Sequence, residues 1–191
     1  MIKALIGDGG HAREVMSQMG IILPRFVDDA YVNKYTLPLS EFDPKKYAAM
    51  IAVANSKDRS DISRRLPAET QFFTFVHPTA LLMDGIEIGE GSFVGAYSIL
   101  TTNIKIGKHA LLNRGNHVGH DCRIGDYFSA MPNSVIGGNV TIGDDVYMGS
   151  CSNIREKIEV CSRVTIGMNS AVVKNIKEPG IYAGVPSKKI K

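Results

Sequence analysis

Broken every six residues, Val118–Gly143 reads VGHDCR-IGDYFS-AMPNSV-IGGNVT-IG. Each hexad opens on an apolar residue: Val118, Ile124, Ala130, Ile136 and Ile142. Carried outward without insertion or deletion, the same phase meets Val76, Leu82, Ile88, Val94, Leu100, Ile106 and Leu112 on one side. On the other it meets Met148, Ile154, Val160, Ile166 and Val172. All 17 positions are apolar in a chain that is 44% apolar, a run that chance would give about once in a million. Glycine follows nine of them, at 89, 95, 107, 119, 125, 137, 143, 149 and 167. Four residues after the apolar position stands a small or β-branched residue at 15 of 17 steps, Asn116 and Phe128 being the exceptions. A period of two would make an open sheet and one of 3.6 a helix. A period of six makes a solenoid of the parallel β-helix kind, each hexad one short strand plus a corner. The first and fifth residues of each hexad then point inward, and glycine is expected to relieve backbone strain at the corners. Three sides make an 18-residue coil, so 76–178 holds between five and six coils, each rising roughly 4.8 Å.

The rest of the composition is that of an ordinary globular protein. Of 191 residues, 21% are charged, the net charge is +3, and the one local excess is Lys188-Lys189-Ile190-Lys191. That argues against nucleic acid as a partner. No apolar run approaches the ~18 residues a membrane span needs, and Met1–Ile6 is too short for a signal peptide. A cytoplasmic protein, not bound to membranes, is expected. Cys122, Cys151 and Cys161 are odd in number and lack C-x-x-C spacing, so they are read as reduced thiols rather than a disulfide framework or a zinc site.

Residues 1–75 obey a different rule, and 21–84 contain no glycine at all. Ile2–Ile6 reads as a strand, Gly7–Ala12 as a tight turn, Ala12–Met19 as a helix and Arg25–Val27 as a second strand ending at Asp28-Asp29. Ala48–Ala54 reads as a third strand, with Ser56 capping a helix that runs to Arg65. This is a Rossmann-like α/β half domain. Gly7-x-Gly9-x-x-Ala12, between strand and helix, is a loose dinucleotide fingerprint: glycines admit a phosphate to a helix N-terminus, and the later carboxylates accept from a sugar or base. With 75 residues the unit is sized for one nucleotide or nucleotide sugar. The alternative is a tight turn that binds nothing, with His11 a surface histidine.

Among five histidines, His77 beside Pro78 reads as structural and His109 as a solvated corner residue. His120 falls two residues after Val118, directed outward, and Asp121 follows it; a carboxylate beside an imidazole fixes the tautomer a general base needs. One coil of 18 residues carries 120 to Gly138, within the solenoid's one double glycine, Gly137-Gly138. Its N–H is a candidate oxyanion donor one rung from the imidazole.

Together, Gly-x-Gly-Gly-His-Ala-Arg, Phe-Val-Asp-Asp, Val-His-Pro-Thr-Ala, His120-Asp121-Cys122, Gly137-Gly138-Asn139 and Tyr182–Lys188 resemble the bacillosamine and sialic-acid biosynthesis acetyltransferases. These are hexapeptide-repeat enzymes with an N-terminal nucleotide-sugar-binding domain. The resemblance spans nearly the whole chain. It implies a left-handed prism, against the usual right-handed crossover, and homotrimers with acetyl-CoA lying between adjacent prisms. It implies His120-Asp121 as the catalytic pair and Gly138 as the oxyanion donor. Nucleotide-sugar contacts fall on Gly9, Gly10, His11, Asp28, Asp29 and Asn113. Cofactor contacts fall on Ser129, Gly137, Gly138, Gly184, Lys188 and Lys189, with 179–191 a tail closing over CoA. Family members often carry a histidine where this chain has Ser129. A hydroxyl there still donates a hydrogen bond but carries no charge, and half a coil from His120 it reaches the same site only from a neighbouring subunit.

The expected activity is metal-free, direct acetyl transfer from acetyl-CoA to the amine of a nucleotide-linked 4-amino-4,6-dideoxy sugar. Cys122, inward at the fifth position of its hexad, should be inert. Three rivals stay open: a sugar O-acetyltransferase, a non-catalytic nucleotide-sugar-binding protein, and a metal-dependent hydratase, for which His117 and His120 lack a third histidine in register.

Overall fold

A computed structural model describes residues 1–191. The first unit runs β1 (Ile2–Ile6), α1 (Gly10–Met19), β2 (Arg25–Val27), β3 (Leu37–Pro38), β4 (Tyr47–Ile51) and α2 (Ser56–Arg65). Its four strands pair in parallel in the order β3-β2-β1-β4. Ala4, Ile6, Ala49 and Ile51 pack on one side with Phe26, Phe42 and Leu66. Leu5 and Met50 pack on the other with Ala12 and Val15 of α1 and with Phe93 and Leu111 of the solenoid. Burial on both faces is why β1 and β4 read as apolar runs without alternation.

Local chemistry sets the helix ends. Gly20, at φ 67°, ends α1 in the left-handed conformation that lets its N–H and that of Ile21 turn back to the carbonyls of Ser17 and Met16. The cap of α2 is Asn55, not Ser56: Asn55 Oδ1 accepts from Asp58 N at 3.1 Å, and Ser56 is already helical. The expected strand over 48–54 ends at Ile51, and β3 carries too little pattern in two residues to be foreseen.

From β5 (Phe75–Val76) to β21 (Ala171–Val172) the chain winds through strands of two or three residues. They stack into three parallel sheets in an 18-residue register: Phe93 beside Leu111 beside Ser129, Ile99 beside His117 beside Val135, Lys105 beside Arg123 beside Thr141. This ladder fits the left-handed parallel β-helix. The inward rule holds at both positions, with Val94, Leu100, Leu112 and Met148 opening their hexads and Ile104, Phe128, Val146 and Val164 in fifth place, all fully buried. Each such side chain contributes about 1.5–3 kcal/mol relative to exposure. The inward Asn116 is satisfied, donating to Ala130 O at 3.2 Å and accepting from Ser134 N at 3.1 Å, whereas the inward Ser152 hydroxyl has no partner.

The glycines serve a purpose other than the one expected. The left-handed corner residue is the fourth of each hexad, as at His109 (φ 55°), Asp121 (φ 60°) and Asn139 (φ 58°), and it is mostly not glycine. The second-place glycines have no positive φ; a Cβ on Gly89 would meet Lys108 N at 2.5 Å, and one on Gly119 would meet Gly138 N at 2.5 Å. Glycine is required there by the close approach of successive coils. Past β21, β22 (Gly180–Ala183) joins Val164–Ile166 in parallel and β23 (Lys188–Lys189) returns antiparallel to it, so 179–191 extends one face of the prism.

Candidate active site

The three faces differ in what they turn outward. The first carries Phe75, Phe93, Leu111, Ser129, Tyr147 and Thr165, and the N-terminal unit packs on its upper part. The second carries Leu81, Ile99, His117 and Val135, and the third Glu87, Lys105, Arg123, Thr141 and Glu159.

His120 stands at the edge between the second and third faces, its side chain 56% exposed. Its Nδ1 lies 2.7 Å from Asp121 Oδ2. That contact puts the neutral ring's proton on Nδ1 and leaves the Nε2 lone pair free. Asp121 is held in turn by Asn103 Nδ2 at 2.5 Å, one coil earlier, and Arg123 donates to Asn103 O at 2.8 Å. The hydrogen bond from His120, then that from Asn103, hold the Asp121 carboxyl below its usual range. Gly138 faces the ring so closely that a Cβ there would lie 2.6 Å from His120 Nε2, and its N–H has no acceptor within the chain. Winding therefore brings His120, Asp121 and Gly138 together. Asn103 was missed, although 121 minus one coil of 18 points to it.

A cavity of about 360 Å³ opens at the carboxyl ends of β1 and β2, lined among others by Gly7, Asp8, Gly9, Asp28, Tyr31 and Asn33. Asp8 is braced by Arg25 at 2.6 Å and Asn33 at 3.3 Å. Asp28 is paired with Arg65, which lowers its pKa, and Asp29 accepts from Ser40 N at 3.2 Å. Gly10, His11 and Asp29 lie outside this lining.

For His11 the alternative of a surface histidine fails: its side chain is 8% exposed and edge-on to Phe93, and burial and the Arg59 charge pull its pKa down to about 4. Two expectations are corrected. His109 is not solvated: 2% exposed, it stacks on Tyr127 at 5.2 Å, and burial likewise pulls it to about 4. Ser129 is not open to an acyl group: fully buried, its hydroxyl donates to Ala54 O at 2.9 Å and accepts from Arg59 at 2.9 Å. Asn113 is 5% exposed and reaches Glu14 of α1 at 3.4 Å, close to the seam between the units.

Gly137 N is spent on Ile154 O at 2.9 Å, and a Cβ there would meet Glu156 N at 2.5 Å, so coil spacing accounts for this glycine. Gly184 N donates to Ser170 Oγ at 3.0 Å. Lys189 is held by Glu178 at 3.0 Å, whereas Lys188 lines a cavity of about 230 Å³ with Lys174, Pro186 and Ser187. Cys122 is buried, which raises its thiol pKa, and all three cysteines are free. No group of three or more His, Cys, Asp or Glu side chains is placed to hold a metal ion, and no helix is long and apolar enough to cross a membrane.

No family model matches the chain. A GDP-perosamine N-acetyltransferase of Escherichia coli O157:H7 is 33% identical over 115 residues, 60% of this chain and 52% of that protein. The chain thus spans about half the length of that curated relative. WeeI from Acinetobacter baumannii AYE superposes over 100% of both chains with a TM-score of 0.88 at 27% identity. PerB from Caulobacter crescentus, solved in complex with CoA and GDP-perosamine, shares the fold over 100% of this chain and 98% of its own, with a TM-score of 0.75 at 20% identity. By sequence and by fold, the chain is similar to nucleotide-sugar acetyltransferases of hexapeptide-repeat type.

Proposed function

We propose that this protein transfers the acetyl group of acetyl-CoA to the amino group of a nucleotide-linked 4-amino-4,6-dideoxy sugar. The observation that carries the reading is the exposed His120 ring, tied through Nδ1 to Asp121 at 2.7 Å with Nε2 set against Gly138. Nε2 takes the proton from the amine as it attacks the thioester carbonyl, and Gly138 N–H receives the developing oxyanion. The imidazolium, steadied by Asp121, then returns the proton to the leaving thiolate. General base catalysis contributes about 10²–10⁴-fold and an oxyanion donor about 3–4 kcal/mol. Transfer is direct: the thiol nearest the site, Cys122, is buried and faces inward. The likeness to a GDP-perosamine N-acetyltransferase and to PerB, solved with CoA and GDP-perosamine, supports an amino-sugar acceptor and a CoA donor.

In this reading the N-terminal unit is a Rossmann-like half domain that holds the nucleotide in the cavity beside Gly9 and Asp28. Strand order 3-2-1-4 and a ligand cavity outside the carboxyl ends of the strands support it. Lys188 meets CoA phosphate. Because the N-terminal unit sits on the first face and His120 on the opposite edge, the acceptor of one copy meets the histidine of another. A homotrimer satisfies that need, and partly exposed Leu81 (51%) and Val135 (38%) on the second face give it an apolar contact.

The test is thiol release from acetyl-CoA against a panel of nucleotide-linked amino sugars, with hydroxyl acceptors alongside. His120→Ala should lower kcat by about 10²–10⁴-fold while leaving assembly unchanged. Undiminished turnover in that variant, or no release with any amine, overturns the reading.

A further inference from the structure

Arg59 of α2 is 2% exposed, yet its guanidinium forms no salt bridge. Within its own unit it donates to Val53 O at 2.8 Å and Ala54 O at 3.1 Å. Across the seam it donates to four acceptors on the prism: His109 O at 2.8 Å, Tyr127 O at 2.9 Å, Phe128 O at 3.0 Å and Ser129 Oγ at 2.9 Å. Ser129 Oγ closes the circuit by donating to Ala54 O at 2.9 Å. Burial lowers the Arg59 pKa to about 10, which leaves the group charged at neutral pH.

A buried cation with no carboxylate bonded to it, only the more distant charge of Asp145, is an expensive way to join two surfaces, and apolar packing of similar volume is often as stable or more so. What packing lacks is angle. A planar fork bonded to carbonyls in both units fixes the orientation of one on the other, as a lysine's single ammonium cannot. The Phe93 and Leu111 contacts beside it supply burial without that direction.

We propose that Arg59 is a positioning residue: it locks the nucleotide-holding unit at one angle on the first prism face, with Ser129 as its partner, so that the acceptor is presented at a fixed reach. What it positions for rests on the acetyltransferase reading; the lock itself does not.

The experiment compares full-length R59K, R59M and S129A with the parent protein. Three quantities are read: Kd for GDP and for UDP, kcat and KM with acetyl-CoA and the best amino sugar, and hydrogen exchange of backbone amides. For R59K and R59M, nucleotide Kd and the acetyl-CoA KM should stay within about threefold, while kcat falls about 10²-fold, the scale of an ångström of misplacement. Amides in 52–56 and 127–131 should exchange at least about tenfold faster while those of the prism core do not. S129A, which removes one link and folds most easily, should move the same way by about three- to tenfold. A folded R59M with parental kcat overturns the proposal, as does a kcat loss that only tracks the unfolded fraction. If the parent acetylates no amino sugar, the reaction assigned above fails; exchange then decides the lock alone, unchanged seam amides overturning it and faster ones sustaining it.

Discussion

Adding one methyl at Gly138 separates catalysis from folding. A Cβ there would lie 2.6 Å from His120 Nε2, 2.8 Å from Cε1 and 3.0 Å from Cδ2, against ordinary contact from 3.4 Å. All three atoms are the far edge of one exposed ring, so the ring gives way and the coil does not. Gly138 has no positive φ, so alanine takes the same backbone without strain and stabilises by about 0.4–1 kcal/mol through the unfolded state. Moving the ring by almost an ångström breaks the 2.7 Å bond to Asp121 and takes Nε2 off its line. Misplacement on that scale costs about 10²-fold, and complete loss of the general base up to about 10⁴-fold. Gly138→Ala should therefore lose 10²–10⁴-fold in kcat by thiol release while its melting temperature holds or rises. Gly119→Ala is the contrasting case: its Cβ meets Gly138 N at 2.5 Å and Gly137 C at 2.7 Å, both backbone, so it should destabilise by about 1–3 kcal/mol. A folded Gly138→Ala protein that keeps more than about a tenth of the parental kcat would refute the placement of the base against this glycine.

Two further outcomes concern stability. His11 and His109 are held neutral, each brought from 6.5 to about 4 chiefly by burial. Well above pH 6.5 neither the folded nor the unfolded chain protonates them. As pH falls from 6.5 towards 4 the unfolded chain binds protons that the folded one refuses, so stability drops by up to about 1.4 kcal/mol per pH unit for each histidine. Urea midpoints at pH 7 and pH 5 measure the slope, and His109→Phe should remove about half of it; an unaltered slope would mean that His109 titrates freely in the fold. Asn55→Ala should cost about 1 kcal/mol by freeing Asp58 N, more than Ser56→Ala, as chemical denaturation would register.

The period of six was legible because two inward positions per hexad are chemically uniform over 17 repeats, and the same arithmetic placed His120 one coil from Gly138. The reason for the glycines was misjudged because period alone does not say which corner residue turns left-handed. Asp121 and Asn139 do so with their own side chains, while Gly119 is needed by the coil above it. In the N-terminal unit the signals were short, and Asn55 and Ser56 are both good caps. Only the hydrogen bond to Asp58 N tells them apart.

His109, Ser129 and Arg59 have a common cause. The repeat states which residues leave the prism, and nothing in it states whether water or protein meets them there. Yet the outward residues, taken every 18, carry that information. The third face shows Glu87, Lys105, Arg123 and Glu159, a solvated column. The first shows Phe75, Phe93 and Leu111 before turning polar at Ser129. Three outward aromatic or aliphatic residues in one column cannot be left to water, so something covers the upper part of that face, and the α/β unit of residues 1–75 is what the chain has to cover it with. Where the apolar column stops, the covering unit must meet backbone carbonyls and a hydroxyl with a donor of its own. Arg59 is that donor, and it makes Ser129 a structural partner at the point where the family resemblance suggests an acyl contact. A histidine restored by Ser129→His would have to displace the guanidinium, so it should loosen the seam as R59M does, with faster exchange across 127–131 and no gain in kcat. A gain in turnover with the seam intact would return position 129 to the acyl site.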